Sequence, residues 1–189
     1  MTTARCQQPD DPSADKARRA EHQYTVRLPE PPAELFGRAL FSGTCAALCS
    51  AAVLLAAGQR DCASAMAPIN AVSHWLWADR AFRQSRPSLA YSLTGYVIHH
   101  ATSVLWALCF ESIASSGRPW LVARHALLAG PAVAGVAAVV DLKLTPERLT
   151  PGFERKLSGL MLTAVYVAFG LALATCHSLR ASRRAISAE

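Results

Sequence analysis

A chain of 189 residues with a formal net charge of +6 is 52% hydrophobic and only 17% charged, where soluble domains carry about 25% charged residues. Mean hydropathy is +0.20, and the charges crowd into the N-terminal tail, the loops and the C-terminal end. A disordered chain, a disulfide-stapled secreted module and a basic nucleic-acid binder are excluded, which leaves a small protein that threads a membrane several times.

Residues 1–34 are polar, with an acidic cluster (Asp10, Asp11, Asp15) and the prolines Pro29, Pro31 and Pro32, and read as a flexible tail. No cleavable leader is visible, since the first apolar run is long enough to stay in the bilayer. A spanning helix needs about 20 mostly apolar residues. The run 39–58 meets this with no charge at all. The next apolar stretch holds Pro68, Asn70, Ser73 and His74 and ends on Trp75, Trp77, Asp79 and Arg80, too short and too polar to span. Tryptophans beside charges suit the membrane–water interface. An interfacial or re-entrant helix is therefore expected over 68–83, with Pro68 in its first turn and Asp79 and Arg83 as an i,i+4 pair.

The second span, 89–110, is interrupted only by His99 and His100. The third, 120–140, opens on Arg124 and His125 and is followed by Asp141. After it, Leu-Thr-Pro occurs twice, at 144–146 and 149–151, each Thr able to cap a turn that starts on Pro, which reads as a kinked connector. The fourth span, 157–179, holds His177 near its end, and 181–189 forms a basic tail. The expected fold is all-α: a polytopic membrane protein whose residues 35–180 make a compact bundle of four transmembrane helices.

Helices associate inside lipid through small residues that let backbones approach. Gly43, Ala47 and Ala51 form one such row, Ala126, Gly130 and Ala134 a second with Pro131 as a kink, and Gly159, Thr163, Gly170 and Ala174 a third. Four spans put both termini on one side. Basic residues near the spans nearly tie, with seven on the side of the termini and eight opposite. The cytoplasm is preferred for the termini, because exporting a 38-residue tail with six basic residues is the harder route. The six cysteines include no CxxC pair and read as reduced packing residues.

Ionisable groups inside a membrane cost roughly 2.5–3.5 kcal/mol each at mid-span, so each is a candidate for function. His99 and His100 sit at the centre of the second span and face different ways, a helix turning about 100° per residue. His99 shares a stripe with Ser92, Tyr96, Ser103 and Trp106, a polar and aromatic face expected to point into the bundle. His100 shares its face with Val97, Val104 and Glu111, the last about 16 Å further along the axis. Both histidines read either as hydrogen-bonding glue between helices or as ligand or proton-handling groups. Glu111, His125 and His177 should gather at one rim, and Asn70, His74, Asp79, Asp141 and Glu154 at the other. A segment 62–83 dipping inward would bring Asn70 and His74 toward His100 and Asp141, in a polar cavity roofed by Trp75 and Trp77.

Cofactor chemistry finds little support in the spacing. His99, His125 and His177 stand at unmatched depths, which argues against a bis-histidine haem. The histidine boxes of a membrane di-iron desaturase, HExxH and a Walker loop are absent. A metal site from His74, His99, His100 and Asp141 is the one remaining set, and it has no signature spacing. No cofactor is implied.

The strings NAVSHWLWADR (70–80), GYVIHHATSVLWALCFE (95–111) and DLKLTPERLTPGFE (141–154) resemble blocks of uncharacterised small four-helix inner-membrane proteins of bacteria. The resemblance implies a bacterial inner-membrane location and carries over no catalytic residue. Two classes of function follow. One is a non-enzymatic membrane protein that assembles, or handles a small solute or a proton, through a polar intramembrane cavity. The alternative is a metal-dependent membrane enzyme using His74, His99, His100 and Asp141. The expected partners are the lipid bilayer and, through the small-residue faces, a second copy or other membrane proteins. Nucleic acid is not among them.

Overall fold

The computed structural model describes residues 31–115 and 119–186, so residues 1–30 of the expected tail and the last three residues of the chain lie outside the described residues. Those described are helical almost throughout, with no strand among them. Helix α1 runs Pro32–Cys62, longer at both ends than its charge-free core. Pro32 occupies the first helical position, where a missing N–H costs nothing, and the helix closes on Ala63 in the left-handed region, whose N–H bonds the Gly58 carbonyl. Three short helices follow: α2 (Met66–Val72), α3 (His74–Trp77) and α4 (Asp79–Phe82). A π-helical turn at Leu89–Leu93 leads into α5 (Thr94–Ser115). Helix α6 (Pro119–Val139) contains Pro131 and ends in a second π-helical turn, Val140–Leu144. Two 3-10 turns, Glu147–Leu149 and Phe153–Arg155, precede α7 (Gly159–Ile186).

Four of these helices are long and apolar enough to cross a membrane. Helix α1 sits in the middle, packed along α5 on one side and α7 on the other, and α6 packs along α7. The reason is the buried stripe of α1: Ala39, Ser42, Gly43, Ala46, Ala47, Ser50 and Ala51 recur at helical spacing with no side chain larger than Ser. The second close approach lies between α6 and α7. A Cβ on Gly170 would stand 2.7 Å from Pro131 Cα, and one on Gly130 would stand 2.9 Å from Ala174 Cβ. The third expected row is corrected at its start. Gly159 and Thr163 are exposed, and only Gly170 and Ala174 of that row are buried. Outward from the bundle, Leu48, Leu105, Val136 and Leu160 are each more than half exposed. Such a surface on four sides suits lipid tails.

The single helix expected over 68–83 is broken in two places. At Ser73 the hydroxyl donates to the Asn70 carbonyl, and the backbone tightens to φ −68°, ψ 0°. At Ala78 it turns to φ 46°, ψ −140°, and α4 starts afresh. As a result, Asp79 is exposed and forms no ion pair with Arg83. Helix α2 is buried on every side from Ala67 to Val72, whereas Leu76 and Trp77 are 66% and 40% exposed. The segment thus enters the protein first and then lies along its surface. It plugs the end of the bundle where α1 finishes and α5 begins: Pro68 packs on Gly58 and the Ile69 carbonyl on Gly95. The loop 145–158 comes to the same end and completes a cap. Gly152 stands at φ 84°, and a Cβ there would lie 2.6 Å from the Ala71 carbonyl oxygen and 2.7 Å from His74 Nδ1, so no other residue fits that corner.

Candidate functional site beneath the cap

Where α5 and α6 part, a cavity of ≈ 60 Å³ lies under the cap. A water needs about 10–15 Å³ on the same measure, so several waters or one small molecule fit. Ser50 of α1, His99, Ser103 and Trp106 of α5, Asp141 after α6 and Tyr166 of α7 supply its polar groups. Trp75 and Phe153 close it from the cap.

His99 is fixed from two directions. Its Nε2 stands 2.9 Å from Ser50 Oγ, and that hydroxyl donates to the Ala46 carbonyl at 2.7 Å, so the ring N–H is assigned as donor to the serine oxygen. The Phe153 ring meets the imidazole edge-on, with centroids 6.5 Å apart. Below it, the Ser103 hydroxyl donates to the His99 carbonyl at 2.7 Å. Asp141 accepts from the Tyr166 hydroxyl at 3.2 Å, and Trp106 lines the same cavity. Phe153 also packs on Tyr166 at 6.3 Å, so one cap side chain touches both His99 and the tyrosine that holds Asp141. The roof is held in turn by the Trp75 indole N–H, which donates to the Thr150 carbonyl at 2.9 Å.

The other sequence candidates fall elsewhere. Asn70 is fully buried but structural: its amide donates to the Gln84 and Arg86 carbonyls at 3.2 and 3.0 Å and its oxygen accepts from Ser92 at 2.7 Å. His74 has Nδ1 2.9 Å from the Ala71 carbonyl and Nε2 3.3 Å from the Glu147 carbonyl, which fastens α3 to the 3-10 turn. His100 faces away from the cavity, 3.4 Å from the Thr44 hydroxyl. Trp77 points outward and donates to the Ala90 carbonyl, so Trp75 alone of the pair roofs the cavity. A cavity of different composition is found: of the expected set only Asp141 lines it, His99 stands where His100 was expected, and Asn70 and His74 belong to the cap because of the break at Ser73. Among the described residues no group of three or more His, Cys, Asp or Glu is placed to hold a metal ion. His74, His99, His100 and Asp141 do not converge.

At the opposite end of the bundle Glu111 is fully buried between α1 and α7. Arg38 Nε stands 3.3 Å and His177 Nδ1 3.1 Å from its Oε2. The Phe110 ring meets His177 edge-on at 5.4 Å. The side chain of His125, expected at this rim, lies outside the described residues. Arg38, Tyr166 and Phe153 were not anticipated. An arginine just before a charge-free run and a tyrosine in the middle of the fourth were the available signals for the first two. Phe153, in a loop, gave none. Comparison with known proteins finds no matching family model, no matching characterised protein and no matching solved structure.

Proposed function

We propose that the chain is a multi-pass protein of a bacterial inner membrane, both termini cytoplasmic, that takes up a small solute in the cavity beneath the cap. His99 and Asp141 stand beside that solute as groups able to gain or lose a proton. One observation carries the reading. Two ionisable side chains from different helices are each oriented by a fixed partner and line the wall of one hollow among the spans. Ionisable groups at such depth are expensive and need a reason to be there. Packing alone explains His100 and Asn70, whose polar atoms end on protein, but leaves the hollow between α5 and α6 unexplained.

Filling the hollow tests this. Ala137 is 1% exposed and lines the cavity, so Ala137→Phe occupies it, and Ser103→Leu does so from the other helix. Purified protein is titrated with a panel of small alkylammonium salts, carboxylates and alcohols, and tryptophan fluorescence is followed. At least one solute is expected to saturate, and to lose its effect in whichever filled variant keeps its helix content. A panel with no saturating member, or equal binding by the filled variants, rejects the reading.

A further inference from the structure

The cavity carries information about the charge of what it holds. Asp141 accepts a hydrogen bond from a neutral donor, the Tyr166 hydroxyl, and among the described residues no basic side chain forms an ion pair with it. A second carboxylate, Glu154, is close enough to act electrostatically on both Asp141 and Tyr166. Its Oε2 is buried and has no hydrogen-bond partner. The nearest arginine in sequence is engaged elsewhere, Arg155 lying 4.9 Å over the Phe82 ring and 3.9 Å from Glu147. Two partly buried carboxylates with no paired cation among the described residues make an electrostatic arrangement that is incomplete in the protein alone.

The walls narrow the choice of cation. Trp75, Trp106, Phe153 and Tyr166 all line or close the same space, and aromatic faces attract cations through the negative potential above the ring. They offer no ligand to a metal ion, and no set of three ligating side chains is present among the described residues. An anion would meet the Asp141 carboxylate with Glu154 behind it, and a neutral solute would gain a hydrogen bond there but no charge attraction. We propose that the cavity binds a small alkylammonium ion, with Asp141 as counter-charge and the aromatic side chains as its walls. This rests on the cavity reading above and names the class of solute.

The test uses the full-length protein in detergent at fixed ionic strength, with methylammonium and tetramethylammonium chloride as probes. Sodium chloride and tert-butanol, a neutral molecule of similar size to tetramethylammonium, serve as controls. The alkylammonium salts are expected to raise the melting temperature in a saturable way that neither control reproduces. Asp141→Asn should weaken that response by about tenfold or more, the scale on which loss of a desolvated charge partner is felt. Should Asp141→Asn fail to fold, Glu154→Gln, whose buried oxygen has no partner to lose, is to weaken the same response. Stabilisation by tert-butanol as strong as by tetramethylammonium overturns the cation and leaves the cavity reading standing. An equal effect of sodium chloride, or an unchanged response in both variants, also overturns the cation. No response to any solute in this or the wider panel removes both.

Discussion

Gly95→Ala separates the cap from the bundle without removing a polar side chain. The α2 backbone lies directly on α5 at this position. A Cβ built on Gly95 would stand 3.0 Å from the Ile69 carbonyl carbon, closer still to its oxygen, and 3.4 Å from Ser73 N. Non-bonded heavy atoms rest at about 3.5–4.0 Å, so α2 has to retreat by about 1 Å or more to clear the carbonyl oxygen. Neither partner is the flexible end of a side chain, so the strain is taken by the backbone, and overpacking of this kind costs about 1–3 kcal/mol. For a chain of this size about 1 kcal/mol shifts the melting temperature by about 2–4 °C. The variant is thus expected to melt roughly 2–12 °C lower in detergent. Trp75 roofs the cavity from the segment that moves, so its emission should shift to the red. Gly135→Ala is the control: a Cβ there meets nothing within 4 Å, and an alanine inside a helix is neutral or more stable by up to about 1 kcal/mol. Equal melting temperatures for the two variants would refute the close seating of α2 on α5.

The buried cluster at the other end should behave as a unit. Glu111→Leu removes the carboxylate that Arg38 and His177 share and should cost about 3–5 kcal/mol, whereas Arg38→Leu/Glu111→Leu together should cost much less than the sum of the singles. Additive losses in a double-mutant cycle of SDS unfolding contradict that coupling. Asn70→Ala removes three hydrogen bonds from a fully buried amide and should destabilise by about 3 kcal/mol at about 1 kcal/mol each. Asp79→Ala, on the exposed α4, should stay within about 0.5 kcal/mol in the same assay, and a ranking the other way round denies Asn70 its place in the cap.

Long charge-free runs made the four spans legible, because a bilayer imposes its thickness on composition. The polar ends of α1 were not legible, since nothing in residues 32–38 or 59–62 is apolar enough to continue the signal. The stripe of His99, Ser103 and Trp106 followed from helix geometry alone, and the structure places all three on the cavity. What it could not supply was the third dimension. Tyr166 reaches Asp141 across 25 residues, and Phe153 reaches the cavity from a loop. The two breaks in 66–82 hid for a different reason. Ala78 stands at φ 46°, a region where glycine is the usual signal and where an alanine gives none.

The roof is made of two pieces distant in the chain, and this sets an order on biosynthesis. Trp75 and the Thr150 carbonyl that holds it are 75 residues apart. A ribosome adding about 5–20 residues per second needs about 4–15 s to make that interval. For the part of that time after α5 has been made, α2 has its seat on α1 and α5 but no loop above it. The last fastenings, Ser158 N to Asp61 and the Cys62 thiol to the Lys156 carbonyl, join the end of the first helix to the threshold of the fourth. The nascent chamber therefore stays open until insertion is almost finished, and a chain halted after the third spanning helix lacks both the loop above it and the α7 wall that carries Tyr166.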